Sequence, residues 1–174
     1  MDLLVLVVVV GLAALFLIPG STPRMDIRRY PNSLAVLEQV PVNGTQQWIL
    51  IRSESAINPV VLFVHGGPGT SWLTLMRKNT LPLEKYFTVV NWDQRGAGKS
   101  FAAGCVDAEM TMGVFVDDLI ALSSDLARRF QKNKILLVGH SWGSVIGVIA
   151  ASRRPDLFSA YIGIGQMSRM AESE

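Results

Sequence analysis

Cysteine, histidine and charge of either sign in excess are what this chain of 174 residues has little of. Its single cysteine, Cys105, cannot close an intrachain disulfide, so a disulfide scaffold and a four-cysteine metal site are both excluded. The expected place of Cys105 is that of a small apolar residue. Sixteen basic residues against fourteen acidic ones leave a formal charge of +2. With no dense basic cluster in the chain, a phosphate-tracking surface is excluded and no nucleic acid is expected as a partner. Hydrophobic residues make up 49% and charged residues 17%, a balance that excludes wholesale disorder. At ~150 residues per domain the length fits a single domain.

The chain opens on an unbroken apolar run, Leu3 to Ile18. As a helix at ~1.5 Å per residue it spans roughly 24 Å, short of the ~30 Å hydrocarbon layer unless the flanks contribute. Only Asp2 is charged before the run, and its exit reads Pro19-Gly20-Ser21-Thr22-Pro23. A cleaved export signal would carry a basic start and a small-x-small exit. Residues 1–20 are therefore read as a membrane anchor or signal, with a single uncleaved helix favoured. Arg24, Arg28 and Arg29 come after the run, and the positive-inside bias places the C-terminal remainder of the chain on the cytoplasmic side, although the sidedness stays open. Residues 21–35 read as a linker and 36–174 as the folded domain.

Within that domain, Val36 to Val40 and Gln46 to Arg52 alternate like strands, and Asn43-Gly44 between them predicts a tight hairpin turn. Val60 to Val64, Thr88 to Trp92 and Ile135 to Val138 are continuous apolar runs, as expected of strands buried on both faces. Tyr161 to Ile164 is a further short strand. Met112 to Phe130 carries Val114, Phe115, Leu119, Leu122 and Leu126 at helical spacing, with Asp117, Asp118 and Asp125 at or beyond the stripe's edge and Thr111 as N-cap. Ser141 to Arg153 reads as a second helix. Strands alternating with helices predict the α/β class, a mostly parallel sheet flanked by helices.

Three loops carry the chemistry. In Leu136 to Ser144 an apolar strand runs into Gly139-His140-Ser141-Trp142-Gly143 and then directly into a helix. A serine on so sharp a turn sits in strained backbone, and small residues such as Gly139 and Gly143 must flank it because strand and helix approach closely. Ser141 is the candidate catalytic nucleophile. The second loop, His65-Gly66-Gly67-Pro68-Gly69, exposes backbone amides; those of Gly67 and Trp142 are the candidate oxyanion hole. His65 lies at a strand end and is read as structural support bonded to the loop backbone, not as the base. In the third loop, Asn91 to Ser100, the Gly98-Lys99-Ser100 triplet lacks the earlier glycine of a phosphate-binding loop, since that position is Asp93. Asp93 and Arg95 are read as an ion pair or hydrogen-bond hub supporting the site. Trp72, Leu73 and Trp142 are core residues or the lining of an acyl pocket.

Taken together, His65 to Gly69, Trp92 to Ser100 and Gly139 to Ser144 resemble the proline iminopeptidase branch of the α/β-hydrolases over about Val36 to Gln166. The resemblance implies that Ser141 attacks as nucleophile, that Gly67 and Trp142 form the oxyanion hole, and that the substrates are peptides with an N-terminal proline, as for an aminopeptidase, or related small amides and esters. It implies no metal and no organic cofactor. Elbow hydrolases place their acid and histidine after the serine, yet both histidines here, His65 and His140, precede Ser141, and the later acids are Asp156, Glu172 and Glu174. The family's lid is missing as well. The chain is expected to be shortened at its C-terminus and, by itself, to have little activity. The alternative is a non-catalytic membrane-tethered binding module with a vestigial elbow.

Overall fold

Alternation along the first two strands and the Asn43-Gly44 turn build an antiparallel hairpin from β1 (Leu34–Val42) and β2 (Thr45–Ser53) in the computed structural model, which describes residues 5–6, 21–101 and 110–168. The turn residues have φ of 42° and 81°, the positive pair that a two-residue hairpin turn demands. Because the loop is only two residues long, Val42 pairs with Thr45 and Pro41 with Gln46, so β1 extends past the expected end at Val40. An outer strand accommodates Pro41, whose missing N–H costs a central strand a ladder bond. The apolar run 3–18, except for Val5 and Leu6, and Cys105 lie outside the described residues. Among the described residues no helix is long and apolar enough to cross a membrane.

The continuous apolar runs form β3 (Val60–Val64), β4 (Thr88–Asp93) and β5 (Ile135–His140), and β6 (Phe158–Ile164) begins three residues earlier than expected. The six strands lie in the order β1-β2-β4-β3-β5-β6. β1, β2 and β4 pair antiparallel, whereas β4, β3, β5 and β6 are parallel. All six residues of β4 are buried, consistent with helices covering both faces. The outer strand β6 is mostly exposed, and Ile162 and Ile164 face solvent.

Among the described residues three α-helices connect the parallel strands. α1 (Leu73–Thr80) was not foreseen, because only Leu73 and Thr80 of its residues are buried and no apolar stripe marks it. α2 (Met112–Arg129) is capped by Thr111, whose side chain accepts from the Val114 amide, and buries Phe115, Val116, Leu119, Leu122 and Leu126. α3 (Trp142–Arg153) packs so close to β6 that a methyl group at Gly147 would lie 2.9 Å from the Tyr161 ring. The chain leaves β3 through α1 to β4 on one side, then returns through α2 to β5 on the other. The crevice beyond the carboxyl ends of β3 and β5 is therefore a topological switch point, where open α/β sheets place their sites.

Asp118 corrects the sequence reading. Instead of lying at the stripe's edge it is fully buried on α2. Its carboxylate accepts two bonds from Arg95, at 2.9 Å from both Nε and Nη2, one from Gln47 at 2.7 Å and one from Asn43 at 2.9 Å. Gln47 in turn accepts from the Trp92 indole at 2.8 Å. One carboxylate thus joins the hairpin turn, β2, the loop after β4 and α2.

Candidate active site

At the end of β5 the backbone turns abruptly, and Ser141 sits at φ 51°, ψ −119° as the N-cap of α3. A non-glycine residue held there costs about 1–3 kcal/mol, which the surroundings must over-determine. They do so through three bonds. The Ser141 amide donates to the Ile164 carbonyl on β6 at 2.9 Å, while its carbonyl accepts from the Ser144 amide at 2.8 Å and from the Ser144 hydroxyl at 2.6 Å. The two flanking glycines supply the space. A methyl group on Gly139 would strike the Gly143 carbonyl, and one on Gly143 would strike the carbonyls of Val64 and His65.

The loop after β3 lies directly over this turn, since a methyl group on Gly66 would come within 2.9 Å of both His140 Nδ1 and the Ser141 Cβ. Gly67 comes next at φ 57°, a left-handed value that suits glycine. Trp142 occupies the first turn of α3, where amides have no intrahelical partner and the helix dipole is positive. Its indole donates to Gln94 Oε1 at 3.2 Å and meets the Phe115 ring edge-on at 5.6 Å. Trp72 stacks on His140 with ring centroids 4.7 Å apart, and Leu73 is buried in the core. Ser141 is half-buried, with the glycine loop packed against its Cβ and the first turn of α3 following directly after it.

Gln94 went unnoticed in the sequence. Fully buried, it donates from Nε2 to the His65 carbonyl at 2.8 Å and accepts from the Trp142 indole, so its side chain ties together the two segments that bear Gly67 and Trp142. Its position, one residue past a wholly buried strand and beside the switch point, was the only local hint.

His65 spends both ring nitrogens on backbone. Nε2 accepts from the Gln94 amide at 3.1 Å, which leaves Nδ1 to donate to the Gly66 carbonyl at 2.9 Å. Neither histidine is hydrogen-bonded to the Ser141 hydroxyl, and the Nδ1 of His140 is buried without a partner among the described residues. Burial lowers the His65 pKa from its ordinary 6.5, against weaker upward pulls from the Gly66 carbonyl and Asp93. The unfolded chain therefore takes up a proton that the folded ring resists. Stability from this site is full above pH 6.5 and declines as the pH falls from there toward the depressed folded value. Urea midpoints measured between pH 7.5 and 5 are expected to fall with pH, and His65→Gln to flatten that slope.

Asp93 and Arg95 act apart, with different partners. Arg95 engages Asp118, whereas Asp93 accepts from the Ser71 hydroxyl at 2.8 and 3.0 Å and from the Lys99 amide at 2.9 Å. The 98–100 segment is a short 3₁₀ turn, closed further by the Ser100 hydroxyl donating to the Asp93 carbonyl at 2.6 Å. With the Lys99 amide turned onto a carboxylate, the triplet does not form the backbone cradle of a phosphate-binding loop. Among the described residues no cluster of three or more His, Cys, Asp or Glu side chains is placed to hold a metal ion.

A glycine loop followed by strand, strained turn and helix, in this order, defines a class. Residues 59–174 match the family model described as alpha/beta hydrolase fold, and the chain belongs to that family. It is 39% identical over 142 residues to the probable aminopeptidase YbaC of Bacillus subtilis strain 168, a match covering 82% of this chain and 45% of that protein. A proline iminopeptidase of Arabidopsis thaliana is 32% identical over 96 residues, covering 55% of this chain and 23% of its own length. Among solved structures, an epoxide hydrolase from Vigna radiata superposes with a TM-score of 0.62 at 29% identity, covering 77% of this chain and 40% of the other. The chain spans less than half the length of each of these proteins.

Proposed function

We propose that the chain is the nucleophile-bearing part of a serine hydrolase that cleaves an N-terminal residue such as proline from a small peptide, or a related small amide or ester, through an acyl-enzyme. The observation that carries this reading is the backbone of Ser141, strained at φ 51° between β5 and α3 and braced on both sides. In the proposed reaction Ser141 Oγ attacks the substrate carbonyl and gives up its proton to a base. The oxyanion is held by the amides of Gly67 and Trp142, each contributing roughly 3 to 4 kcal/mol. Collapse expels the amine or alcohol, and water then hydrolyses the ester.

The names of the aminopeptidase and iminopeptidase relatives support this substrate class. The chemistry of a hydroxyl favours it over epoxide opening. A serine oxygen that opened an epoxide would form an ether, which water does not cleave as it does an ester, and turnover would stop. His65 is unsuited as the base because both its nitrogens are occupied, so the acid and base are proposed to lie beyond these 174 residues. The apolar run 3–18 is proposed as a single membrane anchor, which carbonate extraction of the intact protein would refute.

Imidazole added to the solution tests the reading, because it can supply the base that the chain lacks. With a proline 4-nitroanilide or 4-nitrophenyl acetate, the chain is expected to turn over slowly alone and faster with imidazole, beyond imidazole's own background rate. Ser141→Ala is expected to abolish that gain. An equal gain in the variant would support a non-catalytic binding module instead. A burst without imidazole would place the base within the chain.

A further inference from the structure

A cavity of about 230 Å³ opens between α1 and the β1–β2 hairpin, and none of Ser141, Gly67 or Trp142 lines it. Leu37 and Leu50 contribute apolar wall, and Thr22, Thr74, Arg77 and Lys99 bring polar groups from three separate segments. Among the described residues the lining holds two cations and no carboxylate. Among the described residues Arg77 Nε is buried with no acceptor, a donor that an anion in the cavity would satisfy. The Lys99 ammonium lies 4.7 Å from the centre of the Trp48 ring and joins no salt bridge among the described residues. Thr22 Oγ1 accepts from Arg52 at 2.8 Å, which frees its own proton for another acceptor. The carboxylate behind the wall, Asp93, is covered by the Ser71 hydroxyl.

We propose that this cavity binds a phosphate group, either free or in the headgroup of an anionic lipid. Cationic and hydroxyl donors arriving from different directions suit a tetrahedral oxyanion, with the guanidinium fork able to take two oxygens and the ammonium a third. The apolar wall leaves room for whatever carries the phosphate. The lipid source is supported by the chain's own order, because Ser21 and Thr22, which line the cavity, directly succeed the residues that leave the apolar run.

The test tracks the thermal midpoint of the full chain in neutral detergent as inorganic phosphate is added at constant ionic strength, and then in vesicles of phosphatidylcholine with and without phosphatidylglycerol. A bound ligand raises the midpoint saturably. Lys99→Gln is expected to weaken half-saturation about tenfold or more, whereas Lys78→Gln, the same charge change on α1 outside the cavity lining, leaves it unchanged. A rise with inorganic phosphate identifies the free ion as ligand; a rise only with phosphatidylglycerol identifies the lipid. No rise with either, or equal loss in both variants, overturns the proposal.

Discussion

Gly143→Ala is expected to leave little folded protein. The added methyl would strike the Val64 and His65 carbonyls, which are main-chain atoms at the end of a central strand and cannot move aside as the tip of a side chain can. Overpacking of this kind costs typically 1–3 kcal/mol and more where the backbone is the obstacle, against a whole-domain stability of about 5–15 kcal/mol. A loss of about 3 kcal/mol or more is anticipated, read as a lowered urea midpoint or as insoluble expression. Gly69→Ala is the control, since nothing lies within 4 Å of its added methyl. Equal midpoints for the two variants would mean that the start of α3 and the end of β3 do not meet as described.

Asp118→Ala should be comparably severe. Removing the carboxylate takes the bidentate ion-pair partner from the buried Arg95 guanidinium and an acceptor from Gln47 and Asn43. Breaking a buried ion pair from one side costs about 3–5 kcal/mol, because the remaining charge loses its bidentate partner in a desolvated site. Asp118→Asn keeps the shape and part of the hydrogen bonding, so it should lose less. The contrast in urea midpoint between the two variants checks the charge, and a loss below about 1 kcal/mol for alanine would contradict the buried geometry. The exposed pair between Arg154 and Asp156 is expected to contribute little in the same assay.

These two positions mark what the sequence could and could not convey. The elbow was legible because its constraint is local: strand, glycine, serine, glycine and helix succeed one another within a dozen residues. Val60 to Val64 was legible for a similar reason, since a strand buried on both faces needs an unbroken apolar run. Asp118 was misread because helical periodicity assigns charge to solvent, and its partners Arg95 and Gln47 lie 23 and 71 residues away. Gln94 escaped notice for the same cause, as its role depends on a carbonyl from β3's loop and an indole from α3. α1 carried too little buried apolar surface to announce itself. The ends of β1 and β6 moved because pairing partners, not intrinsic preference, decide where a strand stops.

The presentation of the Ser141 hydroxyl as a nucleophile can be tested most directly by mapping a fluorophosphonate adduct by mass spectrometry. Phosphonylation forms a bond from Ser141 Oγ to phosphorus with loss of fluoride, the hydroxyl proton passing to imidazole, and the polarised phosphoryl oxygen can rest on the same backbone donors as a substrate's oxyanion. With imidazole present, the adduct is expected on the peptide containing Ser141 and on no other serine, and to disappear in Ser141→Ala. An unmodified Ser141 peptide with imidazole present, or label spread evenly over surface serines, would contradict that presentation.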